Sequence, residues 1–375
     1  MSNNSNNQIK IAIVSGDSKK GDSVRGIGAH NSNLFSAFHK NSSKDIKIPE
    51  VNKNDDLSKY DVVHFTVFRP FFISLPFIKP KNTKFVLTIH DLIMLVYPEH
   101  YPSGIKGWIK FKINKFLIKK YVDRIITISE TSKKDICRFL GVKPEIVEVI
   151  YLAPKKVVKK LKSGDWEDEI RKKYNLPEKF VLFDHGINYN KNIATLIKAC
   201  RIAKTKLVIV GKHAVELEEL VSSYGKISGP QDLIRSIFNI PHPQHTHFKS
   251  VLYEINQGDV VRTGYVDDDD LNKLFNLAFI YVQPSFYEGF GMPPLEAMVV
   301  GCPVICSKTQ ALVEVCGEAC LYFDPNNVDD LVSKLKIFMN DEKERNKYIN
   351  KGLEQVKKYS WDKAAKETLE VYAKA

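Results

Sequence analysis

The sequence predicts an α/β protein of two domains, each built on a doubly wound parallel sheet, and three observations carry that expectation. Short apolar, β-rich runs alternate with helical stretches along most of the chain, the pattern of parallel strands joined by crossover helices. At 375 residues the chain is long for one core and suits two domains of roughly 150–200 residues. Between the two series of runs lies Pro154 to Lys179, lysine-rich, without an apolar period and broken by Ser163-Gly164-Asp165, which reads as a connection with a short helix. The expected division is a first domain at 1–160, a linker at 161–179, a second domain at 180–356 and a closing helix at 357–375.

In the first domain Ile9 to Val14 reads as a strand followed by Ser15-Gly16-Asp17, and Gly26-Ile27-Gly28 leads into a helix over Asn33 to His39. A Gly-x-Gly alone is compatible with a simple turn. Val62 to Phe65 and Phe85 to Ile89 are further buried strands, and the second ends in His90-Asp91. Polar residues there fit the rule that open α/β sheets bind ligands at their carboxyl edges, although a His-Asp pair also serves as a structural hydrogen bond. Arg124 to Glu130 and Val147 to Tyr151 complete the sheet. Between them, Ile105 to Arg124 places apolar residues 105, 108, 109, 113, 116 and 117 at helical spacing among six lysines. That helix either lies on an anionic membrane surface or buries its apolar side in the domain.

In the second domain Phe180 to Phe183 is a strand, Gly186 to Asn192 a loop bearing Lys191, and Ile193 a helix start. Leu207 to Val210 is the next strand, followed by Gly211 and Lys212. Taken alone, each lysine suits a surface charge. Residues 225–259 are longer than a simple strand-helix-strand step requires and read as an insert. Its His242, His245 and His247 suit either a metal site or an exposed loop. Asp267 to Asp270 cap a helix.

The most informative segment follows the strand Ala278 to Val282: Pro284-Ser285-Phe286-Tyr287-Glu288-Gly289-Phe290-Gly291-Met292-Pro293-Pro294-Leu295-Glu296-Ala297. It sets Glu288 and Glu296 eight residues apart around a Gly-Phe-Gly turn that opens a helix, with two prolines in the first turn. Backbone N–H groups from Gly289 to Met292 and the helix dipole favour an anion. Glu288 can reach a hexose hydroxyl and Glu296 a ribose diol, each through charge-assisted bonds of about 1.5–3 kcal/mol.

Hydrophobic content of 43% and charged content of 27% are those of a globular protein, with no apolar run long enough to span a bilayer. Met1 to Asn7 lacks the apolar core of a signal peptide, so a cytoplasmic location is expected. The net charge of +12 favours anionic partners, but no nucleic-acid module is present. Cys302/Cys306 and Cys316/Cys320 form two Cys-x3-Cys pairs, which suit either a four-thiolate zinc site or buried reduced thiols.

The string from Pro284 to Ala297 resembles the Glu-x7-Glu signature of family-4 retaining glycosyltransferases of the GT-B fold. The resemblance implies two Rossmann-like domains facing across a cleft, the acceptor in the first and the donor in the second, with the closing helix packed back on the first domain. It implies that Glu288 contacts the donor sugar and Glu296 the nucleotide ribose. His90 is similar to the family histidine that reaches the donor sugar or phosphate, and Gly28 to the glycine loop beside that phosphate. Lys191 matches the basic residue on the diphosphate. Glu288, His90 and Lys191 are therefore the expected catalytic residues, with Gly28, Lys212, Gly289, Phe290, Gly291 and Glu296 as further donor contacts. One departure stands out: Ile187 and Asn190 occupy positions where many relatives carry an arginine. The family reaction implies no metal or cofactor. GDP-mannose is the first donor expected and UDP- or dTDP-hexose the next, with a glycan or lipid-linked hydroxyl as acceptor at the inner face of the membrane. A nucleotide-sugar 2-epimerase-like enzyme or a non-catalytic relative are the alternatives. The recognisable features run from Gly26 onward, dense in 180–325 and sparse before.

Overall fold

The computed structural model describes residues 9–15, 27–41, 48–224, 237–238 and 241–375. Two compact units form. The first takes in the chain to Pro98, Pro102–Leu152 and Ser360–Ala375; the second consists of Glu99–Tyr101 and Ala153–Tyr359.

The first unit holds a parallel sheet of β1 (Ile11–Val14), β2 (Val62–Phe65), β3 (Lys84–Thr88), β4 (Val122–Thr127) and β5 (Val147–Val149), in that spatial order. All four residues of β1 and of β2 are buried, as expected of strands covered on both faces. On the far side of β1 from β2, Glu50 forms a parallel bridge with Ile13, so the chain leaves β1 to one side and returns on the other. That reversal makes β1 the switch point of a doubly wound sheet.

The helix Ile27–Asn41 starts six residues before the expected Asn33, so Gly28 sits inside its first turn and not in a loop ahead of it. Gly16, Asp17 and Gly26 lie outside the described residues. The helix Trp361–Lys374 packs on Ile27–Asn41, burying Trp361 and Tyr372, and the Tyr372 hydroxyl lies 2.7 Å from Nδ1 of His64 on β2.

The helix Gly104–Tyr121 departs from the buried-stripe alternative. It buries Gly107, Asn114, Leu117 and Ile118, whereas Ile105, Trp108, Ile109 and Phe116 of the apolar stripe are exposed.

The second unit holds a six-stranded sheet of β6 (Val181–Phe183), β7 (Leu207–Val210), β8 (Val260–Gly264), β9 (Ile280–Gln283), β10 (Val304–Ser307) and β11 (Leu321–Phe323). Its order is β11-β10-β9-β6-β7-β8, all parallel, so the winding reverses between β6 and β9. Helices Ile193–Ala203 and Val328–Asn340 pack together on this sheet. Helix Pro243–Gln257 adds Phe248, Val251 and Ile255 to the same core. That part of the expected insert is therefore a core helix. Residues 225–236 and 239–240 lie outside the described residues.

Residues 161–179 carry the helix Trp166–Tyr174, whose Lys173 and Tyr174 both bond Asp270. Among the described residues no helix is long and apolar enough to cross a membrane.

Candidate active site

In the second unit β6 and β9 are neighbours whose connections run to opposite sides, and such a reversal opens a crevice at the strands' carboxyl ends. Two loops meet there. The loop after β6 carries Asn190 to Asn192 and the loop after β9 carries Pro284 to Gly291. Phe286 N–H donates to Asn190 O at 2.8 Å, and the Asn190 amide donates to Tyr287 O at 3.2 Å. Asn192 adopts φ 50°, a left-handed conformation that asparagine tolerates, and its amide donates to Pro284 O and Pro325 O at 3.0 and 2.9 Å. Tyr101 donates to Asn190 Oδ1 at 2.7 Å, and Tyr189 stacks on Phe286. Asn190, at one of the positions where the resemblance implies an arginine, thus ties the two loops together, and Ile187 at the other is fully buried.

This tie delivers Lys191 to Glu288. The ammonium donates to Glu288 Oε1 at 2.8 Å and Oε2 at 3.0 Å, with the two side chains 15% and 9% exposed. Gln283 Nε2 and Ser285 Oγ also donate to Oε1, at 2.7 and 2.6 Å. A buried carboxylate is tolerable only with such donors, and strand alternation supplies Gln283 on the same side as Tyr281. Tyr281, fully buried, donates in turn to Asp184 Oδ1 at 2.8 Å, and burial first, then the Asp184 charge, push its phenol well up.

Past Glu288 the chain turns through Gly289-Phe290-Gly291. Phe290 is buried with its ring edge-on to Tyr359. Gly291 has φ +108°, and a Cβ there would lie 2.6 Å from Leu312 Cδ2, so any other residue would strain the backbone and displace the Leu312 side chain. The helix Met292–Val299 follows and buries Glu296, 2% exposed. Burial raises the Glu296 carboxyl to about 7, against the opposing pull of Lys155. Lys155 N–H donates to Glu296 at a long 3.4 Å, while the Lys155 ammonium pairs with Asp268 at 2.8 Å. Acceptor capacity thus remains on Glu296.

Lys212 is not drawn into this cluster. Its side chain is 69% exposed and pairs with Glu216 at 3.3 Å, although Gly211 before it runs close to His185 O.

Within the first unit, His90 follows β3 and its Nε2 lies 2.6 Å from Nδ1 of His30, a residue the sequence reading did not single out. The His30 ring is buried and stacks on Trp361. Burial lowers His90 to about 4, so it is neutral near pH 7, and Ser132 Oγ holds its backbone carbonyl at 2.9 Å. Gly28 lies two residues ahead of His30 on the same helix.

The expected metal alternatives do not assemble as drawn. Cys302 Sγ points to Ala278 O, apart from the buried group Cys306, Cys316 and Cys320, so the two Cys-x3-Cys pairs do not form one four-sulfur set. Burial pushes the Cys306 thiol well up, which keeps it protonated. His242, His245 and His247 form no metal-ligating group among the described residues: His242 caps its helix through Gln244 N–H, and His247 bonds Ile187 O at 2.6 Å.

Comparison with known proteins gives this geometry a family. The pattern described as "Glycosyl transferases group 1" matches residues 243–355, and "Glycosyltransferase Family 4" matches residues 10–153. The chain is 28% identical over 301 residues to the O-antigen chain mannosyltransferase B of Escherichia coli, covering 76% of this chain and 69% of that protein. It is 29% identical over 295 residues to the serotype-specific mannosyltransferase WbdA of Escherichia coli, covering 78% of this chain but only 33% of that longer protein. Among solved structures, HepE of Anabaena in complex with UDP and glucose shares the fold with a TM-score of 0.67 at 15% identity, covering 98% of this chain and 100% of that one. The chain belongs to the group 1, family 4 glycosyltransferases, enzymes of the GT-B fold.

Proposed function

We propose that this glycosyltransferase moves a hexose, with retention of its anomeric configuration, from a nucleotide-diphosphate sugar to a hydroxyl of a glycan or lipid-linked acceptor. The observation that carries the reading is the Lys191–Glu288 pair at the β6/β9 reversal, with the buried, under-bonded Glu296 eight residues on. A diphosphate entering the crevice competes with Glu288 for the Lys191 ammonium. Its arrival frees the carboxylate to accept from a sugar hydroxyl, and Glu296 accepts from the ribose diol. Lys191 and the N–H groups of the Gly289–Met292 turn then meet the charge that develops on the leaving diphosphate. His90, neutral, donates or accepts a hydrogen bond without adding charge. In this reading the departing phosphate takes the acceptor proton and no metal is required.

Mannose is the sugar we favour, with GDP-mannose as donor, because the curated relatives above are named mannosyltransferases. UDP-hexose ranks next, supported by the UDP and glucose bound to the HepE structure. The experiment is nucleotide release from GDP-mannose, UDP-glucose and dTDP-glucose in the presence of α-mannoside acceptors, with product configuration read by NMR. GDP release, an α-linked product and activity in excess EDTA are expected. A β-linked product or strict dependence on added divalent metal overturns the corresponding part of the reading.

A further inference from the structure

We propose that the first unit docks on an anionic lipid bilayer through the face formed by the helix Gly104–Tyr121 and the adjoining chain at Phe72–Ile78. The helix carries six lysines and no acidic residue over eighteen positions. Its inner side is fixed: the Asn114 amide donates to Pro70 O and Phe72 O, Asn114 Oδ1 accepts from Ser74 N–H, and Gly107 packs on Phe71. Leu117 and Ile118 complete that anchored side.

The outer side is where the chemistry is unusual. Trp108 is 55% exposed, Phe116 60% and Ile105 75%, and beside them Phe72, Phe77 and Ile78 are exposed as well. Large apolar residues scattered singly are ordinary on a soluble surface, whereas several gathered in one place mark an interaction site. Phe77, Trp108, Ile109 and Phe116 surround an open apolar hollow of about 480 Å³, with Lys112 and Lys120 on its rim.

These lysines lie on the same side as the aromatics, with Lys112 4.7 Å from the Trp108 ring centre and Lys120 5.5 Å from that of Phe116. Such stems lie along apolar surface and lift their ammonium groups to the polar boundary, as basic side chains do at a headgroup layer. A protein partner would be met by a face rich in Tyr, Arg and Met and poor in Lys; here Lys dominates, which selects a negatively charged lipid surface. Among the described residues no helix can span a bilayer, so the contact lies on the membrane. Each lysine within reach of an anionic surface multiplies partitioning by about fivefold.

The test is flotation of the full chain with vesicles of phosphatidylcholine alone and of phosphatidylcholine with 30% phosphatidylglycerol, at low and high salt. The variants are Trp108→Ser/Phe116→Ser and Lys112→Glu/Lys120→Glu. These exposed substitutions should leave the thermal melt and its shift by nucleotide unchanged, which separates this contact from the donor site. Binding to the phosphatidylglycerol vesicles at least tenfold above phosphatidylcholine alone, weakened by salt and lost tenfold or more in each variant, is the expected result. Equal binding by the variants, or no vesicle binding together with self-association that the variants abolish, overturns the proposal.

Discussion

Lys191 and Glu288, 97 residues apart in sequence, share two hydrogen bonds, 2.8 Å to one carboxylate oxygen and 3.0 Å to the other. Removing one member of so buried a pair strands the other's charge, at a cost on the order of 3 kcal/mol. Glu288→Ala should therefore melt earlier than the parent protein without ligand, and a nucleotide diphosphate should restore more stability to it than to the parent. Turnover should fall by about 10²–10³-fold while donor affinity stays within about threefold. Equal losses in kcat and donor affinity, read by steady-state kinetics and titration calorimetry, would remove Glu288 from its role at the sugar.

The Glu296 carboxyl, raised by burial to about 7 from 4.5, gives stability a definite sign with pH. Between those values the folded chain holds a proton that the unfolded chain has released, so stability falls as pH rises from 4.5 to 7 and is level above it. The expected drop is about 3 kcal/mol, and Glu296→Gln should abolish it in urea titrations at pH 5 and pH 8. Nucleotide affinity should climb through the same range as the carboxylate forms. An affinity flat from pH 6 to 8 would argue against a ribose contact.

The first unit should respond to acid in the opposite sense. Burial holds His64 at about 3 and His90 at about 4, with His30 well below its ordinary value of 6.5. The unfolded chain then binds protons that the folded unit refuses, so stability present above pH 6.5 is lost as pH falls toward 4. Hydrogen exchange at pH 5 and pH 7 should show β1, β2 and β3 losing protection at the lower pH. Protection there that is unchanged would mean the three rings take up protons without leaving the fold.

Gly291→Ala combines a left-handed backbone with a Cβ placed 2.6 Å from Leu312 Cδ2. A loss of about 2–4 kcal/mol is expected, with nucleotide binding weakened because the turn amides shift. Leu312 is fully buried, so its own truncation leaves a cavity, and the comparison is made within the Leu312→Ala background. There Gly291→Ala meets no collision but keeps the backbone strain, so its cost should be smaller than in the parent yet not zero. A double mutant as stable as Leu312→Ala alone in chemical denaturation would show that the strain is negligible.

Strands buried on both faces were legible as short apolar or nearly apolar runs: Leu207–Val210 coincides with β7, and Val62–Phe65, apolar but for His64, with β2. β8 and β11 gave no such signal, being sheet edges, and β8 contains Arg262 and Thr263 at half-buried positions. The Glu288/Glu296 spacing was visible directly. Gln283 and Ser285 stand within five residues of Glu288, and strand alternation carried past Val282 could have found the first. Nothing local announces His30, which meets His90 from 60 residues away through the parallel winding of the sheet. The lysine-rich helix misled in one respect: helical spacing finds an apolar stripe but does not tell which stripe faces inward when Gly107 and Asn114 supply the anchored side.

Because the first unit includes Ser360–Ala375, its polypeptide is interrupted by the whole of the second. On the ribosome, where the leading domain usually folds first, the first unit begins without this last helix. Trp361, which stacks on His30, and Tyr372, which reaches His64, are synthesised only after the second unit's segment 153–359 is already complete. The surface of the first unit that receives the helix Trp361–Lys374 therefore stays uncovered until the chain has been made past the second unit's segment.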